Sequence, residues 1–299
     1  LEKIIILAFV GFCAQLVDGA LGMAYGVTST SLLLLSGIAP AVSSASVHMA
    51  EVVTTAASGI SHIKFGNVDK QVVKRLIIPG SIGAFLGATF LSNIPGEIIK
   101  PYIAIFLLSL GFFVIYKFLF KINKKQPVKQ KSSSKNKQLA PLGFIAGFMD
   151  STGGGGWGPI ATPVLLTSHN MEPRKVVGSV DTSEFAIAIS ASLGFLISLG
   201  WQEIAFEWVI ALMIGGIFAA PLAAWLVKII PTILLGTLVG GVIIITNVRT
   251  LLSVIYISST MTNIIYIILF VLWIISVIYA VFEIRKHKNN EKERPLKSD

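Results

Sequence analysis

The sequence predicts an all-α membrane protein, a polytopic helical bundle made of two inverted repeats, and three observations lead there. The first is apolar content: 54% of the 299 residues are hydrophobic and 13% are charged, where a soluble domain carries about a quarter charged residues. Runs of twenty or more apolar residues belong in a bilayer. The second is where the charge lies. Seven lysines and no acid fall between Lys121 and Lys137, and six Lys or Arg follow Glu283, as expected of cytoplasmic flanks, so the net charge of +9 needs no nucleic-acid partner. The third is repetition. Gly11, Phe12, Ala14, Asp18, Gly22, Gly26 and Thr30 overlay on Gly143, Phe144, Ala146, Asp150, Gly154, Gly158 and Thr162. After a one-residue slip, Pro40 falls on Pro173, and the stretch from Ser46 to Glu51 falls on Ser179 to Glu184.

In order, residues 1–120 are expected to form the first transmembrane repeat. Residues 4–36 are apolar but interrupted between Asp18 and Gly26, too long for one span of about 20 residues and too short for two. Two half-helices fit better. Pro40 opens a helix to about His62, with Ser43 or Ser44 as its cap. A charged loop leads to a span over 76–91, where Gly80, Gly83 and Gly87 mark one close-packing face, and another span follows over 98–120. Residues 121–138 form a Lys/Ser/Gln linker without apolar period. Residues 139–255 repeat the pattern as a broken element over 139–166 and spans over 176–199, 206–227 and 233–252. Residues 256–284 hold an extra helix, over 264–282, and 285–299 a basic tail.

Parity orients the chain. The linker and the tail are both basic and belong on the same side. Four spans separate them once the second broken element is set aside, so that element crosses twice or not at all. This puts Glu203 and Glu207 outside and Arg174 with Lys175 inside, makes the halves inverted, and leaves the N-terminus external. Trp201, Trp208 and Tyr256 read as interface-belt aromatics. The first apolar run leads straight into the repeat, without a short signal-peptide core and cleavage site. Cys13 is the single cysteine, which excludes an internal disulfide.

The two Gly-rich interruptions are the candidate binding site, since paired breaks in two halves point to a transporter's centre. Gly22 and Gly26 mark the first, Gly153, Gly154, Gly155, Gly156 and Trp157 the second. Bared amides at a half-helix N-terminus bind oxyanions without a cationic side chain, and the hydroxyls of Thr28, Thr30 and Thr162 would complete the cradle. The plain alternatives are close helix packing for the glycines and back-bonding for the threonines. Asp18 and Asp150 are expected to cap the half-helices that follow them.

His48 with Glu51, and Asp181 with Glu184, are spaced three apart on one helix face each. Acids inside a membrane are costly and face a cavity or relay protons, so these four are the candidates for proton coupling or gating, with Glu51 and Glu184 at equivalent places around one centre. Asn247 and Arg249 are assigned to anion attraction, against a snorkelling alternative for the arginine. No metal site and no cofactor is expected.

Gly11-Phe12 with Asp18-Gly19, Gly143-Phe144 with Gly153 to Gly156 and Gly158-Pro159, Gly80 to Ala84, Pro173, and Gly178-Ser179 with Glu184 together resemble the TauE/SafE family of sulfite exporters and sulfonate permeases, from Gly11 to about Leu252. The resemblance implies a multi-pass carrier of the bacterial cytoplasmic (inner) membrane for small sulfur-containing oxyanions or related organic acids. The expected function is therefore secondary transport, export above all, with a small anion and the lipid bilayer as partners. Protons as co-substrate and a homo-oligomer stay open. The rivals are an anion channel, a carrier of another small organic acid and, weakest, an intramembrane enzyme: the chain has no His-Glu-x-x-His, nucleophile elbow or nucleotide loop.

Overall fold

The computed structural model describes residues 2–21, 23–121, 138–168, 173–204, 206–226, 231–255 and 257–292. Among them there are helices and no strand. The first half holds α1 (Glu2–Leu21), α2 (Tyr25–Leu35), α3 (Pro40–Lys64), α4 (Lys70–Ser92) and α5 (Gly96–Tyr116). The second holds α6 (Leu139–Gly153), α7 (Trp157–Ser168), α8 (Pro173–Leu199), α9 (Phe206–Leu226) and α10 (Thr232–Leu252), and α11 (Ser259–Lys292) follows. Both expected interruptions are present, between α1 and α2 and between α6 and α7. In the second, Gly154 adopts φ 69° and Gly155 φ 151°, values open to glycine and strained for other residues. In the first, Ala24 carries φ 125°, a conformation that costs an L-residue about 1–3 kcal/mol.

Several boundaries move, each for a local reason. Pro40 starts α3 with Ala39 at the cap, so Ser43 and Ser44 lie inside the helix and not at its cap. Proline suits the first helical position because that amide has no helical partner. Asp69 accepts from the amides of Gln71 (2.9 Å) and Val72 (3.2 Å), so α4 starts at Lys70 and takes up charged residues expected in the loop. The chain after Tyr116 loosens into a π-helical turn, Lys117–Lys121. α11 runs on to Lys292, past the expected boundary at 284. The linker residues 122–137, Tyr256 and the end of the tail lie outside the described residues.

Packing crosses between the halves. α4 lies on α6 and α8, α9 lies on α1 and α3, α3 meets α8, and α5 meets α10. Glycines set the closest approaches. Gly83 and Gly87 of α4 face the backbone of Phe144 and Phe148 on α6, while Gly11 of α1 faces Leu212 on α9. Small residues allow this because lipid supplies no hydrophobic drive between helices and van der Waals contact must do so. The main apolar cluster joins both halves through Met23, Val27, Leu76, Trp157 and Ile187.

α4, α5 with its continuing turn, α8 and α11 are each long and apolar enough to cross a membrane, and α1, α2, α9 and α10 hold shorter apolar stretches. α3 is not in that group. It buries Ser43, Ser44, Ser46, Thr54 and Thr55 together with His48 and Glu51, a composition tolerable in a membrane protein only when other helices surround it. α11 is the opposite: 6% of its apolar window is buried. It packs on α10, where the Trp273 indole N–H donates to the Thr237 carbonyl at 3.1 Å, and on the turn after α5 through Ala280 and Leu119.

Candidate functional site

The two breaks meet. A Cβ on Gly26 would stand 2.7 Å from the Gly155 Cα and 3.0 Å from Glu51 Oε1. A side chain on Gly155 would run into the backbone of Gly26 and Val27, and Thr30 Oγ1 donates to the Gly154 carbonyl. Gly153 packs against the Phe106 ring. The glycines of the second break therefore let α2 pass at backbone distance, forming a seam between the halves. Gly22, assigned to the same cradle from the sequence, lies outside the described residues.

Asp150 bridges the second break. Its Oδ1 accepts from the amides of Gly156 (2.7 Å) and Trp157 (2.8 Å), and its carbonyl accepts from the Gly155 amide (3.0 Å). Two of the amides that the sequence offers to an oxyanion, those of Gly156 and Trp157, are thus held by the chain's own carboxylate. Asp150 Oδ2 lies 3.1 Å from His48 Nε2. His48 Nδ1 is 2.8 Å from the Ser44 carbonyl, which can only accept, so Nδ1 carries hydrogen. One proton then sits in the Nε2–Oδ2 contact, and either placement leaves the pair without net charge. Ser44 Oγ donates to the Ser151 carbonyl at 2.6 Å, fixing α3 against α6. His48 and Glu51 both lie buried on α3, and His48 takes its side-chain partner, Asp150, from the other half.

The equivalent positions form a different cluster. Asp18, Asp181 and Glu184 each offer a carboxylate oxygen, all within 4.8 Å of one another. Asp18 Oδ1 also accepts from the Tyr25 amide, at a long 3.3 Å, and His62 Nε2 stands 3.8 Å from Asp181 Oδ2. Two unit charges at such range repel by about 4 kcal/mol at an effective dielectric of 20, so three full charges do not persist there together. A hard cation would find three oxygen ligands, half of a six-fold shell; shared protons need no more than is present.

Glu51 is 1% exposed, lies beside Gly26, and among the described residues neither of its carboxylate oxygens has a hydrogen-bond partner. The expected equivalence of Glu51 and Glu184 around one point therefore separates into two settings, the seam for Glu51 and the acid cluster for Glu184. The hydroxyls of Thr28, Ser29 and Thr162 are likewise buried and unpartnered. Trp157, assigned to the cradle, lies in the apolar core instead. It is fully buried, its ring faces Gly80, and its indole N–H donates to the Val180 carbonyl at 3.0 Å.

Asn247 and Arg249 part company. Asn247 is buried and donates to Ser31 Oγ (2.7 Å) and the Ile243 carbonyl (2.8 Å), tying α10 to α2. Arg249, two residues on, is exposed. Sequence reasoning gave Ser44 a different role, as a helix cap, and passed over Gln15 and Lys117. Gln15 is buried with Oε1 unpartnered, one helical turn before Asp18, and that spacing was legible. Lys117 fell within the span expected over 98–120, where a single lysine near a helix end draws no notice.

The family model "Sulfite exporter TauE/SafE" matches residues 7–250, so it spans both breaks, the His48–Asp150 pair and the acid cluster. The chain belongs to the TauE/SafE family. It is 59% identical over 285 residues to the probable membrane transporter protein YtnM of Bacillus subtilis (strain 168), covering 95% of this chain and 94% of that protein. No solved structure matches it. As a TauE/SafE protein with several helices able to cross a bilayer, it is a multi-pass membrane transporter of the cell membrane.

Proposed function

We propose that this transporter is a secondary carrier that exports small sulfur-containing oxyanions, sulfite or a sulfonate, held at the seam between the two helix breaks. The observation that carries the reading is the set of buried hydroxyls without partners at the breaks. Thr28 and Ser29 lie on α2 between Gly26 and Thr30, which touch Gly155 and Gly154, and Thr162 lies on α7 just after the second break. A buried donor left unpaired costs about 1–3 kcal/mol, and an oxyanion accepts from several at once. The break amides hold Asp150, so the local field suits an oxygen anion. An anion on the hydroxyl side of the seam leaves Asp150 in place and breaks no existing bond.

The acids supply the coupling. Glu51 stands at the seam and would repel an anion if ionised, whereas its protonated form donates a hydrogen bond. The cluster of Asp18, Asp181 and Glu184 shares protons whose number changes as the anion binds, which links the two occupancies. Export of a monovalent anion from a negative-inside cell is already favoured by about 2.3 kcal/mol per 100 mV, so protons would set regulation and direction more than drive. The halves are assigned as inverted repeats, with linker and tail on the cytoplasmic side. The exchange of partners, α4 with α6 and α9 with α1, is what a two-fold relation between halves would require.

The test is counterflow. Purified protein in liposomes should take up labelled sulfite faster when the lumen holds unlabelled sulfite or methanesulfonate, with saturation. Flux without saturation or trans-acceleration would make the protein a channel. Acceleration by a carboxylic acid and by neither sulfur anion would move the substrate to another class.

A further inference from the structure

Lys117 begins the π-helical turn after α5, at the head of a run of lysines, where a long cation would ordinarily snorkel out to headgroups. It does not. The residue is 8% exposed, and its Nζ lies 3.5 Å from the Met23 thioether and 5.5 Å from the centroid of the Phe118 ring. Among the described residues no carboxylate comes within 4.0 Å of it, and residues 122–137, which follow it, contain no acid. A thioether is a weak acceptor and a ring face a partial one, so neither replaces the water that an ammonium gives up on burial.

Its place in the fold gives the vacancy of charge a use. Met23, 1% exposed, belongs to the first break itself, three residues before Gly26, which meets Gly155 at the seam. Lys117 thus stands beside the first break, in the turn whose next residue, Phe118, packs against Gly236 of α10. The π-helical turn continues α5 directly, and the lysine at its start is buried. Elsewhere the seam holds acids, so one fixed cation would add to the hydroxyl donors and make an oxyanion's approach more favourable.

We propose that Lys117 is the counter-charge for an oxyanion at the first break, an anion-binding residue distinct from Arg249. The proposal rests on the carrier reading for the identity of that anion. The same chemistry, a singly or doubly charged oxygen anion against one ammonium, would also describe a phospholipid headgroup. Inward burial against Met23 favours the small solute.

The experiment uses the full chain in uncharged detergent and in liposomes, with sulfite and methanesulfonate as probes. Methanesulfonate should raise the thermal midpoint of the wild type and slow the acetylation that reaches the buried Lys117 amine through transient opening, read by mass spectrometry. In Lys117→Met the stabilisation should vanish and the half-saturation for counterflow rise at least about tenfold, the scale of one charge-assisted contact. Lys117→Arg should stay within about threefold of the wild type, since the charge is kept. Should Lys117→Met fail to accumulate, protection of wild-type Lys117 decides alone, and unaltered acetylation overturns the proposal. Protection by anionic lipid but not by methanesulfonate also overturns it. Normal anion flux in both the wild type and Lys117→Met sinks this proposal and leaves the carrier reading standing. Protection at Lys117 in a protein without anion flux keeps the site and sinks the carrier reading.

Discussion

Asp18 and Asp150 occupy the same position in the two halves, yet their surroundings differ. Asp150 accepts two short backbone bonds and faces His48 at 3.1 Å. Asp18 accepts one bond at 3.3 Å and faces Asp181 and Glu184. The exchange of one residue type, His48 for Asp181, converts a neutral pair into an acid cluster. One half is thereby locked, with its carboxylate committed to holding a break together. The other keeps a proton-rich, weakly tethered group. A carrier that must change shape around a site has reason to divide its two breaks this way, one as a rigid hinge and one as a responsive element.

The largest effect expected is at Asp150. Asp150→Ala removes two caps, each worth about 1 kcal/mol, and leaves His48 buried without its acid, for about 3 kcal/mol or more in all. The protein should lose most of its thermal stability in detergent and all counterflow. Asp18→Ala should cost clearly less, because it relieves repulsion as it removes one long bond. Equal losses of midpoint in the two variants would break the comparison.

Next comes the seam. Gly155→Ala puts a methyl group into the backbone of Gly26 and Val27 at φ 151°, and strain and overpacking each cost about 1–3 kcal/mol. We expect a protein that inserts but unfolds earlier on heating and transports at a small fraction of the wild-type rate. Wild-type flux would return the second break to a passive loop.

A subtler change is expected at Glu184. Glu184→Gln removes one acid from the cluster and fixes that position as neutral, so exchange measured between pH 5.5 and 8 should lose most of its pH dependence while retaining activity. In the wild type, rising pH is expected to strip protons from the crowded acids, restore repulsion and slow exchange. Glu51→Gln should damage transport at every pH, because an amide retains a donor but no longer exchanges a proton at the seam. A Glu184→Gln variant with the wild-type pH profile would take the cluster out of the mechanism. The smallest effect belongs to Arg249. It is exposed, and Arg249→Gln should leave the half-saturation concentration within about twofold, as for a surface charge.

Helix order, both breaks and the Gly80–Gly83–Gly87 face were legible in the sequence, because apolar run length and glycine placement are local quantities. The family was legible too, in glycine and acid motifs set within two repeated stretches. Boundaries such as the start of α4 at Lys70 were less so, since one cap at Asp69 outweighed a charged stretch that read as loop. Trp157 was assigned to the cradle because it follows four glycines, and chain proximity says nothing about which way a ring turns.

What the sequence determined by itself is that the chain is a broken-helix, twice-repeated membrane bundle with acids at matched places. What only the tertiary structure decided is who meets whom. His48 finds Asp150 because α3 meets α6 across the halves, and Asp18, near the end of α1, finds Asp181 of α8, and no periodicity within one helix encodes either meeting. Lys117 finds Met23, 94 residues earlier in the chain, in the same way, whereas the amides that hold Asp150 are local, as its expected capping role implied. A helix face specifies what it can offer, but its partner is set by packing between segments more than a hundred residues apart.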